Sequence, residues 1–313
     1  MTDDMLVLGL DIDEHEVQVG LGTRDGPHVH RTVAWPDRRE PLGEMRFVVD
    51  LAREFARKHV PGRRIYAAGI ALDVVVNYSD RIVSCPSRPR WRGLPLQAYM
   101  RKMGLPIVIE SHVNAAVMAE YMLGAARGHE NALVVLAGTD ISAGLILDGR
   151  LFRGDHRRAG EFGHIVVQAD GPPCSCGMRG CLQVLASGRA LERSASALGL
   201  ADLPALVAAA TNGNQQAQEA IVASGRYMGL AIASVVNLLD LRHQVIGGSL
   251  LKLGQPWWSA MSETVQANRL HRDDCSAIMP IEAIVPQRPS LFGVQALAVQ
   301  LADSISSAGV IYD

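Results

Sequence analysis

Long apolar runs are missing from this sequence. No stretch approaches the roughly eighteen apolar residues that a membrane-crossing helix needs, because Arg, Asp or Gly interrupts every candidate. That excludes an integral membrane protein. An excess of one charge is also missing: 30 Lys and Arg stand against 32 Asp and Glu, a formal net charge of −2. Nothing there would condense onto nucleic acid or an anionic membrane, so no direct nucleic-acid partner and no membrane partner are expected. The start, MTDDMLVLGLDID, lacks the basic opening and cleavage site of a secretory leader, which predicts a cytoplasmic protein. Cysteine is scarce, at five residues. Three of them, Cys174, Cys176 and Cys181, fall close together, and in a cytoplasmic chain such clustering favours a metal over a disulfide. Cys85 and Cys275 stand apart and read as buried thiols.

Hydrophobic residues make up 48% and charged residues 20% of the 313, the balance of a folded globular protein. That length exceeds what one compact core usually absorbs, so two lobes are expected, residues 1–128 and 129–313. The apolar run at 5–10, the alternation through Val17, Val19 and Leu21, and a stretch at 28–34 predict a β-meander. Helical spacing of Met45, Val48, Val49, Ala52 and Phe55 follows, then a buried strand from Ile65 to Leu72. Helices over 94–103 and 113–127 flank a strand from Pro106 to Ile109, the alternation of an α/β lobe. A second meander runs through Ala132–Leu136, Ser142–Leu147 and Leu151–Phe152, with a turn at Asp148 and Gly149. It opens about 130 residues after the first and predicts a second lobe of similar plan. Helices over 188–198, 202–210 and 214–239, a strand at Gln244–Ile246 and a last helix over 290–303, packing back on the body, complete the chain.

The strongest chemical signal is GHIVVQADGPPCSCGMRGC, where His164 precedes Cys174, Cys176 and Cys181. Three thiolates and an imidazole suit tetrahedral Zn²⁺, and the interspersed Gly and Pro let the chain close around a small ion. Four protein ligands leave no position for water, so the predicted Zn²⁺ is structural. Redox thiols are the competing reading.

The strings AGEFGHIVV, CSCGMRGCLQ and ASG resemble the signature of the ROK family of repressors, open reading frames and sugar kinases. The resemblance extends through WRGLPLQAYM, LPIVIESHVNAAVMAE, GTDISAGLILDG and VIGGSLL in family order. It implies an α/β fold, the two-lobed actin-like ATPase or sugar-kinase (ribonuclease H-like) fold. It also implies a sugar ligand, ATP and magnesium as kinase cofactors, and a homodimer. Family repressors carry a helix-turn-helix ahead of the first strand, whereas this chain enters that strand at Met5.

By the same resemblance, Glu161 and His164 contact sugar hydroxyls. A carboxylate accepts from two hydroxyls at once, and a metal-bound imidazole presents its second nitrogen in a fixed direction. Two further sugar-contact positions differ from the family: Ser87 stands for Asn, and Gln183 for the Glu that closes the GCLE string. Asn114 and Glu120 match family positions whose simplest role is helix-face and interlobe packing.

The kinase machinery departs further. The family's catalytic Asp, third in its ENDANA-type string, falls on His112. The first phosphate loop, Asp, any residue, Gly, Gly, Thr, becomes Asp11, Ile12, Asp13, Glu14, His15. The second, Gly, Thr, Gly, becomes Gly138, Thr139, Asp140. Glycine lets backbone N–H groups approach phosphates, whereas each carboxylate about 4 Å from a phosphate charge costs roughly 4 kcal/mol at an effective dielectric near 20. The sequence therefore argues against tight MgATP binding. Three functions follow: an ATP-independent isomerase, lyase or hydrolase using His112 and Glu161, which family geometry brings close; a sugar sensor; or an ATP-dependent sugar 6-phosphotransferase acting on glucose or an N-acetylhexosamine.

Overall fold

The computed structural model describes residues 5–36, 40–73, 75–76, 82–85, 88–270, 280–285 and 288–308. In chain order the regular elements begin with β1 (Val7–Ile12), β2 (Glu16–Thr23), β3 (Gly26–Ala34), α1 (Pro41–His59) and β4 (Ala67–Leu72). A short hairpin, β5 (Val75–Val76) and β6 (Ile82–Ser84), leads to α2 (Leu96–Met100), β7 (Ile107–Glu110) and α3 (His112–Leu123). Next come β8 (Ala132–Ala137), β9 (Ile141–Leu147) and β10 (Arg150–Phe152), then α4 (Leu182–Ala186), α5 (Gly188–Ala197), α6 (Leu203–Thr211) and α7 (Gln215–Leu239). The chain closes with β11 (His243–Gly247), α8 (Gln255–Asn268), β12 (Ile281–Glu282) and α9 (Pro289–Ser307).

These elements form two compact units that are not contiguous in sequence. The first comprises Met1–Arg127, Gly154–Arg158 and Gln287–Asp313; the second comprises Gly128–Arg153 and Ala159–Pro286. Each contains a five-stranded sheet of one plan: β3-β2-β1-β4-β7 in the first and β10-β9-β8-β11-β12 in the second. In both, an antiparallel meander leads into parallel strands.

In the first unit every residue of β1 is buried, as expected of a strand covered on both faces. Leu6, Leu8, Leu10 and Ile12 join Met45, Val48, Ala52 and Phe55 of α1 in one core, whereas Val7 packs with Ala298, Val299 and Ala302 of α9. Glycine makes the close approach of α9 possible. A Cβ on Gly69 would lie 2.0 Å from the Val294 carbonyl oxygen, and one on Gly293 would lie 1.6 Å from that of Ala115 in α3.

Contrary to the expectation from sequence, α7 of the second unit is long and apolar enough to span a membrane by composition, despite Gly225, Arg226 and Gly229 within it. It is instead a core helix: Ala217, Ile221, Met228, Ile232 and Val236 are buried against Leu206, Trp257 and Met261. Two predicted helices differ in extent. The stretch 94–103 is a five-residue helix followed by a 3-10 turn that ends where Gly104 turns left-handed, at φ 75°. Helix α3 stops at Leu123, where the buried Glu120 carboxylate accepts a hydrogen bond from the Ala125 amide at 2.8 Å. Helix α8 has no counterpart in the sequence reading.

Candidate functional site

Chemistry-bearing side chains of the first unit gather where its parallel strands end. Asp11 is the penultimate residue of β1, Asp73 follows β4, and Glu110 closes β7, in register with Ala71 of β4. Such carboxyl ends are where open α/β sheets place their ligands. His112 opens α3 one residue beyond Ser111, whose hydroxyl caps that helix by accepting from the Asn114 amide at 3.1 Å. Asn114 in turn donates to the buried Glu110 at 2.9 Å, and Arg157 lies 3.9 Å from the same carboxylate.

The imidazole of His112 is held by charge. Its Nε2 is 2.8 Å from Oδ1 of Asp11, an ion pair when the ring is protonated. Burial favours the neutral ring. The Asp11 contact, with the fields of Asp11, Asp13 and Asp73, outweighs that penalty and raises the pKa of His112 above its ordinary value. The other oxygen of Asp11 accepts a hydrogen bond from the Ser290 hydroxyl at the start of α9. Both carboxylate oxygens of Asp11 are therefore engaged within the unit.

The turn after β1 is a closed hairpin. Its Asp13 amide donates to the Glu16 carbonyl at 3.0 Å, and the Glu14 amide donates to the Asp13 carboxylate at 2.6 Å. Arg88 stacks 4.1 Å from the centre of the Trp35 ring and donates to the carbonyls of Asp13 and Glu14 at 3.3 and 2.8 Å. The Asp13 and Glu14 N–H groups are thus both occupied by the protein's own oxygens. Ser87 lies outside the described residues, as does Cys275; Cys85 is buried, as expected.

In the second unit, Gly138, Thr139 and Asp140 connect β8 to β9. Asp140 accepts from the Gln183 amide and from Arg189, the latter at 3.1 Å. Gln183 also accepts from the Ile141 N–H at 2.8 Å, and a Cβ on Gly163 would come within 3.0 Å of its oxygen. Gln183 is therefore tied to this turn at both ends of its amide and flanks the Glu161–His164 segment. The sequence reading counted Asp140 as an uncompensated acid; Arg189 balances it. Glu161 is exposed, at the N-cap of the 3-10 turn Phe162–His164, with no side-chain cap bond.

His164 and the three cysteines come together. Their ligand atoms all lie within 4.8 Å of one another. Nδ1 of His164 is 3.6 Å from Sγ of Cys174, and Cys176 and Cys181 are separated by 3.6 Å between sulfurs. A tetrahedron with metal–sulfur bonds of about 2.3 Å has edges of roughly 3.8 Å, so the four atoms match such a site. The loop is pinned by bridges between Val166 and Cys181 and between Pro173 and Arg179. Burial works to raise the Cys174 thiol, but hydrogen bonds from the Cys176 amide, the neighbouring thiols and His164 bring it down to about 7. Burial and then the other two sulfurs push Cys181 up to about 12.

Residues 7–301 match the pattern of the ROK family. The chain belongs to that family. It is 30% identical over 265 residues to the glucokinase of Streptomyces coelicolor, covering 78% of this chain and 82% of the relative. The ROK hexokinase from Thermus thermophilus superposes with a TM-score of 0.86 at 28% identity, covering 96% of this chain and 100% of that one. The ROK glucokinase from Streptomyces griseus, solved with glucose and AMPPNP, gives a TM-score of 0.72 at 27% identity, covering 94% and 99%. The fold is accordingly that of the actin-like ATPases.

Within this ROK chain, sequence reasoning found Asp13, Glu14 and His112 as isolated departures from motifs, and Asp11 as a retained acid. It missed the partners that define them. Ser290, Arg88 and Arg189 come from distant segments, with no local signal to pair them with the groups they meet.

Proposed function

We propose that this ROK protein binds a sugar and has lost, or nearly lost, the ability to phosphorylate it. The observation that carries this reading is the Asp11–His112 pair. His112 stands at the position where the family places its catalytic Asp. A base must begin deprotonated to accept the sugar hydroxyl's proton, and a histidine whose pKa is raised by Asp11 spends more of its time protonated. Asp11, the acid at the head of the first phosphate loop, is meanwhile committed to His112 and Ser290. The obstacle to a triphosphate lies at the first turn, where the Asp13 and Glu14 amides are already bonded, and not at the second, where Arg189 offsets Asp140.

The sugar-binding side is better kept. Glu161 is exposed with no cap bond to make, and His164 turns Nδ1 toward Cys174, leaving Nε2 for a hydroxyl. Zn²⁺ held by His164, Cys174, Cys176 and Cys181 would fix that ring and the loop behind it, with no open position for chemistry. A cytoplasmic homodimer that signals sugar occupancy to a partner protein is the working picture. Isothermal titration of a panel of hexoses, N-acetylhexosamines and pentoses, with and without MgATP, tests it. One sugar should bind with the same affinity in both series. Binding that requires MgATP would overturn the proposal.

A second reading draws on the same raised pKa. A protonated imidazole is a proton donor, so His112 could act as an acid on the bound sugar without ATP. Incubation of the bound sugar with the protein, followed by NMR, separates the two: an unchanged sugar supports sensing, and a new isomer or elimination product supports catalysis.

A further inference from the structure

The first unit contains a concavity on the face of its sheet opposite Asp11. Leu8 and Asp11 are three residues apart on β1, roughly 10 Å, and an odd separation puts their side chains on opposite faces. On Leu8's side, α1 presents Ala52 and Ala56 where a longer residue would fill the space. Ile65 ahead of β4, and Met103 and Leu105 ahead of β7, line the remainder, giving a cavity of about 300 Å³. That is the lower end of small-molecule sites.

Its rim has one sign of charge. Arg53 and Arg57 of α1 and Arg63 in the following turn all border the cavity. Arg53 donates to the Lys102 carbonyl, and among the described residues no carboxylate lies within ion-pair distance of any of the three. Guanidinium groups recognise carboxylate and phosphate oxygens in a planar fork. A floor of aliphatic carbon beneath guanidinium groups with no carboxylate partner among the described residues suits a ligand with the same two parts.

We propose that this cavity is a binding site for a small amphipathic anion, a short aliphatic body bearing a carboxylate or phosphate head, separate from the Asp11–His112 site. The proposal is independent of whether the chain phosphorylates sugar. Titration calorimetry on the full chain with octanoate, octyl phosphate, 1-octanol and acetate tests it. Octanoate or octyl phosphate should saturate at one molecule per chain, the better of the two identifying the head group. Octanol and acetate, each with only one of the two parts, should bind at least tenfold more weakly. The double substitution Arg57→Gln/Arg63→Gln, at two exposed positions, should weaken the anion at least tenfold, and Ala56→Leu should abolish binding by filling the floor. If Ala56→Leu does not fold, as judged by circular dichroism, the arginine pair decides. Octanol binding as tightly as octanoate, unchanged affinity in the arginine variant, or no saturation by either anion at millimolar concentration would each overturn the site.

Discussion

Nε2 of His112 stands 2.8 Å from Oδ1 of Asp11, joining the first residue of α3 to the end of β1. On the proposed reading the contact pairs the acid expected to head the first phosphate loop with the residue that falls where the family resemblance expects a catalytic Asp.

The pair should show in the pH dependence of stability. The pKa of His112 is raised on folding, so its contribution is fully present below the unfolded value near 6.5 and is lost as pH rises through the folded value. The stability difference between the protein and His112→Gln should therefore be largest in mildly acidic buffer and shrink toward alkaline pH. Urea titrations across that range check it. A difference that grows with pH would refute the assignment.

Restoring one motif position should not restore a kinase. His112→Asp alone places a second carboxylate beside Asp11 and leaves the Asp13 and Glu14 amides occupied. Only His112→Asp combined with Asp13→Gly, Glu14→Gly and His15→Thr should gain MgATP binding detectable by calorimetry.

The Cys₃His loop should carry one metal ion per chain. Elemental analysis is expected to find zinc. Cys181→Ser should abolish its retention and lower the melting temperature by roughly 10 °C, the shift expected from losing about 3 kcal/mol in a unit of this size. Metal-free protein that melts like the loaded form would remove the structural role.

Packing of α9 sets a sharper limit. A Cβ on Gly293 would lie 1.6 Å from the Ala115 carbonyl oxygen, with backbone on both sides of the clash. Gly293→Ala should cost about 3 kcal/mol or more, the upper range for an overfilled core, by urea denaturation. Arg189→Ala is the contrasting case. The Arg189–Asp140 pair is 61% and 54% exposed, and its loss should shift stability by less than about 1 kcal/mol.

Much of this fold was legible because its signals are local. The apolar run of β1, the helical spacing of Met45, Val48, Ala52 and Phe55, and the cysteine cluster each lie within a short window. The helix α8 was equally readable, since Trp257, Met261 and Val265 recur every fourth residue, yet its flanking Gly and Pro mask it as a loop. The site's contacts were not legible in the same way. Ser290 meets Asp11 across 279 residues, and Arg88 reaches Glu14 across 74. No periodicity encodes such pairs; the first arises when α9 docks on the sheet, the second when the turn before Trp91 packs on the β1–β2 hairpin. Charge counting misled at Asp140 for the same reason, because Arg189 lies 49 residues away.

The central claim is that sugar binding has been separated from phosphoryl transfer. Its most direct test is ADP release from MgATP in the presence of whichever sugar calorimetry identifies. The account predicts no sugar-dependent release above background. Turnover at about 1–100 s⁻¹, the usual range of kinases, would contradict it.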